Sequence, residues 1–398
     1  MLNQKSLEML KAKDIIFEIF GYASKRRQEV GAENVFDFSL GNPSVPAPEA
    51  LGEALCRITR ETDPKILHSY SPTGGIPEVR SAIARDLNRR YGTAYEGSHI
   101  FMTCGAAAAL AHALRAVTNP GDTVVTFAPC FSEYEAYVSG ALCRLKVVPA
   151  DTSSFQIDFE KAREMITADV SAVLVNSPNN PSGVVYTTET IQKLSALLQE
   201  KAKEFSHPVY LISDEPYRDI LFAGTDSPFI AAYYPDTITC YSFSKSLSLP
   251  GERIGYAAVN PKAEEAKTIL ELFAQISRTT GHNGAPALLQ RAVAETCRLT
   301  SDISVYERNS RLLCEALTSF GYSLVKPGGT FYMFPASPGK DAKEFCRKAM
   351  EKDLMLVPGD GFGCPGHFRI AYCVPTEKVE RSLPIFRELV RESGTVQK

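Results

Sequence analysis

Five short apolar runs constrain this chain more than any other feature: Thr123–Phe127, Ala172–Val175, Val209–Ile212, Thr237–Tyr241 and Ile254–Val259. None of them alternates. A strand that is wet on one face alternates apolar with polar residues, whereas a strand covered on both faces does not. Helical spacing lies between several runs, as at Ile191, Leu194, Leu197 and Leu198. Ahead of them Ile76, Val79, Ile83 and Leu87 recur at helical spacing, with Pro77 suited to a first turn. Gly105–Val117 is a strong helix former behind the apolar run Ile100–Met102. The pattern predicts an α/β domain around a mostly parallel sheet. Two segments break it, the first 45 or so residues and the last 110 or so. The second carries helical patterns around Val305–Ser319 and Ala342–Lys352, then a strand-like Phe368–Tyr372.

Composition narrows the function classes. At 398 residues the chain suggests two or three domains. Lys and Arg number 43 against 46 Asp and Glu, a net charge of −3 with no dominant basic patch, so no nucleic-acid partner is expected. No window approaches the roughly 20 apolar residues of a membrane span. Met1–Leu10 scatters Gln4, Lys5 and Glu8 among its apolar residues, so no secretory leader is expected. The 10 cysteines are dispersed without a C-x-x-C pair, which fits a reducing cytoplasm. They and the 6 histidines form no ligand cluster, so no metal is expected.

Open α/β sheets bind ligands at the C-terminal ends of their strands, and four stretches there carry candidate chemistry. Lys245 follows a strand within Tyr241-Ser242-Phe243-Ser244-Lys245-Ser246 and precedes Pro250-Gly251-Glu252-Arg253. A surface lysine needs no such setting; an amine that must react while neutral benefits from a nearby cation. Ser242, Ser244 and Arg253 would together suit a phosphate. Gly105, Ala106 and Ala107 open a helix with small residues, leaving main-chain N–H groups for an anion. Asp214, in Asp214-Glu215-Pro216-Tyr217, ends a strand, where a carboxylate serves equally well as a helix cap or as partner to a protonated ring nitrogen. Asn176-Ser177-Pro178-Asn179-Asn180-Pro181-Ser182-Gly183 reads as a tight loop.

Taken together these residues resemble a class I/II aminotransferase, a pyridoxal 5′-phosphate (PLP) enzyme of fold type I, similar to aspartate aminotransferase. The matching motifs run from Ser39-Leu40-Gly41-Asn42-Pro43 to Phe368-Arg369-Ile370. Most specific is Ser-x-Ser-Lys followed by Pro-Gly-x-Arg-x-Gly-Tyr, with Arg253 eight residues after Lys245. The resemblance implies a three-layer α/β/α domain with a mostly parallel seven-stranded sheet, residues 46–284, and a smaller α+β domain built from 1–45 and 285–398. It makes Lys245 the Schiff-base lysine and general base, puts Asp214 on the pyridine N–H, and Tyr217 and Asn180 on the ring O3′. Ser242, Ser244, Arg253 and the Gly105-Ala106-Ala107 main chain would hold the phosphate, and Phe131 would stack on the ring. Tyr70 matches the tyrosine that reaches the phosphate of the neighbouring subunit, which implies a homodimer with shared sites. Arg369, helped by Asn180 and Gly41, would clamp the substrate α-carboxylate.

The implied activity is ping-pong transfer of an amino group from an L-amino acid to a 2-oxo acid. Ala106 and Ala107 replace hydroxyl or lysine residues found in many relatives, so specificity must come from elsewhere. Arg278 falls near the place where one subgroup supplies a distal-carboxylate arginine across the dimer, which predicts aspartate or glutamate as donor. Phe17, Tyr70, Phe331 and Tyr332 are the alternative, lining a pocket for neutral or aromatic side chains. A C–S lyase or decarboxylase on the same scaffold is the rival activity. A PLP-binding module of a transcription regulator is disfavoured, because the segment before Pro46 is short and not basic.

Overall fold

The computed structural model describes Leu2, Leu7, residues 15–339 and residues 341–393. The rest of Met1–Leu10, whose composition argues against a leader, lies outside the described residues. The chain divides into two units.

The larger unit comprises Pro43–Ile303 with Gly328–Thr330. Its seven strands are β1 (Ile100–Thr103), β2 (Thr123–Phe127), β3 (Arg144–Val148), β4 (Val170–Asn176), β5 (Tyr210–Asp214), β6 (Thr237–Ser242) and β7 (Gly255–Val259). They form one sheet in the order β1-β7-β6-β5-β4-β2-β3. Strand β7 runs antiparallel to both β1 and β6, and every other pairing is parallel.

Both faces of this sheet are covered, as the unbroken apolar runs require. On β4, Ala172 and Leu174 join a core with Leu110 and Ala113 of helix Ala106–Val117 and with Phe273 of helix Ala266–Thr279. Their neighbours Val173 and Val175 point the other way, to Ile191, Leu194 and Leu198 of helix Thr188–Phe205. This is the three-layer α/β/α arrangement. The helix of Val79, Ile83 and Leu87 is Pro77–Tyr91, with Pro77 in its first turn. Strand β3 has no counterpart in the sequence reading. It is an edge strand, and Arg-Leu-Lys-Val-Val there alternates because one side is exposed.

The larger unit extends past residue 284. Helix Ala287–Thr296 packs on helices Glu49–Glu61 and Pro77–Tyr91, burying Leu289 and Ala292 in their shared core, and so carries the unit to Ile303.

The smaller unit holds the chain up to Asn42, Ser304–Pro327 and the chain from Phe331 onward. Phe36–Asp37 pairs in parallel with Leu354–Met355, and Phe368–Ala371 lies antiparallel between Val357–Pro358 and Tyr332–Met333. Helices Ser304–Phe320 and Ala342–Glu351 lie where the sequence reading places them. Helix Thr376–Glu392, unread because Pro384 interrupts its pattern, packs against Ser304–Phe320. Among the described residues no helix is long and apolar enough to cross a membrane.

Candidate active site

Strands β4, β5 and β6 run in parallel register, so their C-terminal ends meet at one edge of the sheet. Asn176 pairs with Asp214, and Asp214 with Cys240. Every candidate of the larger unit on these strands therefore sits at or just beyond the same edge.

Asp214 is fully enclosed there. Its Oδ2 accepts a hydrogen bond from the Tyr134 hydroxyl at 2.7 Å. Its Oδ1, also buried, has no hydrogen-bond partner among the described residues. Burial pushes the carboxyl up to about 7; the Tyr134 hydrogen bond opposes the rise and the neighbouring Glu215 adds to it. A carboxylate held this way, with one oxygen committed and one open, is set to receive a cationic N–H donor.

Glu215 has its own cation. Arg218 Nη1 donates to Glu215 Oε2 at 3.0 Å, Nη2 donates to the Tyr256 hydroxyl at 2.6 Å, and the guanidinium lies 4.2 Å from the Tyr241 ring centroid. This buried pair ties the turn after β5 to β6 and β7.

Lys245 is half-buried in the one-turn helix Phe243–Ser246, directly after β6. The Ser242 hydroxyl caps that turn by accepting from the Ser244 N–H at 3.2 Å, and the two serine hydroxyls are 2.7 Å apart. Gly105 faces them with φ +85, a conformation only glycine adopts freely. A Cβ on Gly105 would lie 3.0 Å from Arg253 Nη2 and 3.5 Å from Ser242 Oγ. Gly105, Ser242 and Arg253 thus converge at the N-terminus of helix Ala106–Val117, whose first turn has no side-chain cap, and helix N-termini favour anions. The motif glycine Gly255 permits this closeness. A side chain there would collide with the Tyr241 carbonyl and sit 2.9 Å from Gly105 Cα.

Asn180 and Tyr217 are both buried. The Asn180 N–H donates to Asn176 Oδ1 at 2.7 Å. Asn179 Nδ2 donates to the Pro129 carbonyl at 3.2 Å, tying this loop to the one that carries Phe131. Phe131 stands edge-on to Tyr134, with ring centroids 5.7 Å apart. Two expected residues stand apart as exposed side chains: Tyr70, and Arg278 near the end of helix Ala266–Thr279.

In the smaller unit Arg369 is buried on Phe368–Ala371 and donates through Nη2 to the Ser39 carbonyl at 2.6 Å. Its guanidinium lies 4.8 Å from the Tyr332 centroid and 4.9 Å from the Phe362 centroid. Any side chain on Gly41 would overlap the Tyr332 hydroxyl. Phe331 is buried beside Tyr332, whereas Phe17 is exposed.

Tyr134, Asn176 and Phe362 are the residues that sequence reasoning left unassigned. Tyr134 opens helix Tyr134–Gly140 three residues after Phe131, and their rings meet edge-on. Asn176 was hidden among loop formers. Phe362 gives no local signal, because it meets Arg369 only through the pairing of Val357–Pro358 with Phe368–Ala371.

Comparison with known proteins shows the family. The family model for aminotransferases of class I and II matches residues 33–384. An aspartate/prephenate aminotransferase of Thermus thermophilus is 31% identical over 382 residues, 92% of this chain and 92% of that protein. The crystal structure of an amino transferase from Eubacterium rectale superposes with a TM-score of 0.96 at 44% identity, covering 98% of this chain and 99% of that one. Aspartate aminotransferase from Thermus thermophilus with maleate superposes with a TM-score of 0.86 at 28% identity, covering 98% and 99% respectively.

Proposed function

The chain belongs to the class I and II aminotransferases and is a PLP-dependent transaminase, and from that premise we propose that it moves the amino group of aspartate or glutamate to a 2-oxo acid in a ping-pong cycle. The observation that carries the cofactor's place in this reading is the buried Asp214 Oδ1, which has no hydrogen-bond partner among the described residues. A pyridinium N–H would supply the missing donor, and Arg253 and Ser242, which converge on Gly105, are donors that suit a phosphate. The residues present therefore fit PLP.

When bound, PLP supplies an electron sink for the charge left at the substrate Cα. The protein's own groups do the rest. Lys245 would supply the amine that anchors the cofactor, and the same amine would take and return the proton at the substrate Cα. Asp214 would keep the ring nitrogen protonated, Tyr217 and Asn180 would donate to O3′, and Phe131 would cover the ring. Ser242, Ser244, Arg253 and the Gly105-Ala106-Ala107 main chain would hold the phosphate. Arg369, its guanidinium faces covered by Tyr332 and Phe362, takes the substrate α-carboxylate through its in-plane N–H groups.

We assign Tyr70 to the phosphate of a partner subunit in a homodimer; its full exposure in the single chain supports this. The cytoplasm suits a chain whose ten cysteines are all free.

The aspartate or glutamate assignment draws on Arg278, an exposed cation, and on two similar proteins, one named for aspartate and prephenate and one solved with the dicarboxylate maleate. Arg278→Ala is expected to lower kcat/KM for aspartate by about tenfold or more while leaving alanine nearly unchanged, since a charge-assisted contact is lost only for the substrate with a second carboxylate. Equal losses, or none, would overturn the assignment in favour of neutral or aromatic substrates.

An absorption spectrum tests the reaction itself. Aspartate alone should bleach the visible band of the holoenzyme, and 2-oxoglutarate should restore it. Formation of pyruvate and ammonia from an amino acid without an oxo-acid acceptor would indicate a lyase instead.

A further inference from the structure

We propose that Asn176 is a positioning residue that holds Asn180, the O3′ contact, in register with Asp214, the ring-nitrogen contact. The inference rests on the roles given to those two residues above. Asn176 closes β4, and it pairs with Asp214 at the last rung of the parallel ladder. Its Nδ2 donates to the main-chain carbonyl of Asp214 at 2.8 Å. Its Oδ1 accepts from the main-chain N–H of Asn180 at 2.7 Å. All three residues are buried.

One planar amide therefore gives its donor to the strand that carries Asp214 and its acceptor to the loop that carries Asn180. Its O and N atoms are fixed relative to each other, so the two main-chain positions are fixed as well. Turn formation does not require this chemistry at position 176. A carboxylate there would have no donor for the Asp214 carbonyl, and a serine hydroxyl is too short to serve both partners. The loop has a separate brace in Asn179, which donates to the Pro129 carbonyl and accepts from the Ser182 N–H at 3.0 Å. Loss of Asn176 should thus loosen the placement of Asn180 without unfolding the loop.

The test is a pH titration of the visible cofactor absorbance in PLP-loaded Asn176→Ser, Asn180→Ala and the double variant. A donor to O3′ stabilises the anionic oxygen, so weakening it raises the midpoint. Asn180→Ala should raise the midpoint by about one pH unit, and Asn176→Ser by a large part of that shift. The double variant should shift no further than Asn180→Ala, because Asp214 stays held by the ladder to Cys240 and by Tyr134, which leaves Asn180 as the route by which Asn176 acts on the midpoint. Asn176→Thr, whose β-branched side chain suits a strand end, is the second variant if the serine form does not fold, and it is read in the same way. A midpoint indistinguishable from wild type in the position-176 variant, beside a shifted Asn180→Ala, overturns the inference, and so does a double variant whose shift is the sum of the two. An unshifted Asn180→Ala overturns the role of Asn180 itself and the inference with it.

Discussion

Lys245→Ala should lower kcat by at least about 10⁴-fold, and Lys245→Arg by no less, because both remove a base that ordinarily contributes 10²–10⁴-fold and remove the amine that anchors the cofactor as well. The arginine variant separates charge from chemistry. A guanidinium keeps the positive charge beside the phosphate site, but it neither adds to a carbonyl nor yields a proton near neutral pH. Steady-state turnover of aspartate with 2-oxoglutarate reads the loss, and thermal unfolding serves as control. Lys245 is only half-buried on a one-turn helix capped by Ser242, so the fold should survive either change. PLP should still associate through Arg253, Ser242 and the Gly105 turn. Activity within roughly tenfold of wild type in either variant would falsify the assignment of Lys245.

The fold was legible where burial is symmetrical. Strands β2, β4, β5, β6 and β7 are covered on both faces, and their continuous apolar runs announced them. The edge strand β3 was not legible, because its exposed side admits Arg144 and Lys146. Helix Thr376–Glu392 was hidden by Pro384, which local rules read as a break. Packing of Val379, Phe386 and Leu389 keeps that segment helical.

The candidate site was legible where one residue type has one use. Lys245 and Arg253 stood out through their fixed spacing, and Gly105 through the turn it must make. Residues that act through other residues were not legible. Tyr134 meets Asp214 across 80 positions of sequence, and Phe362 meets Arg369 only after two strands pair. Such contacts are properties of the assembled sheet, and no local pattern encodes them.

Asp214→Asn should lower kcat by about 10² to 10⁴-fold, since breaking a buried charge pair removes roughly 3–5 kcal/mol, yet it should relieve the PLP-free protein at neutral and alkaline pH. Asparagine keeps the shape and the acceptor for Tyr134, but it cannot hold a ring nitrogen in its protonated form. The stability effect has the opposite sign for a defined reason. In the PLP-free fold burial raises this carboxyl from its ordinary 3.8 to about 7. The folded state then binds the proton more tightly than the unfolded chain does, so the contribution of this group to stability is intact below about pH 4 and falls away as pH rises through 7. The loss is on the order of 4 kcal/mol above that range. Chemical denaturation of PLP-free wild type and variant at pH 4.5 and pH 8 should therefore show their stability difference moving toward the variant as pH rises. With PLP bound, a pyridinium cation at Oδ1 would stabilise the charged carboxylate, and wild type should regain the advantage at pH 8. A stability difference between the PLP-free proteins that does not change with pH would mean that Asp214 is not held as a buried, unpaired acid. The open Oδ1 would then lose its meaning as the seat of a pyridinium.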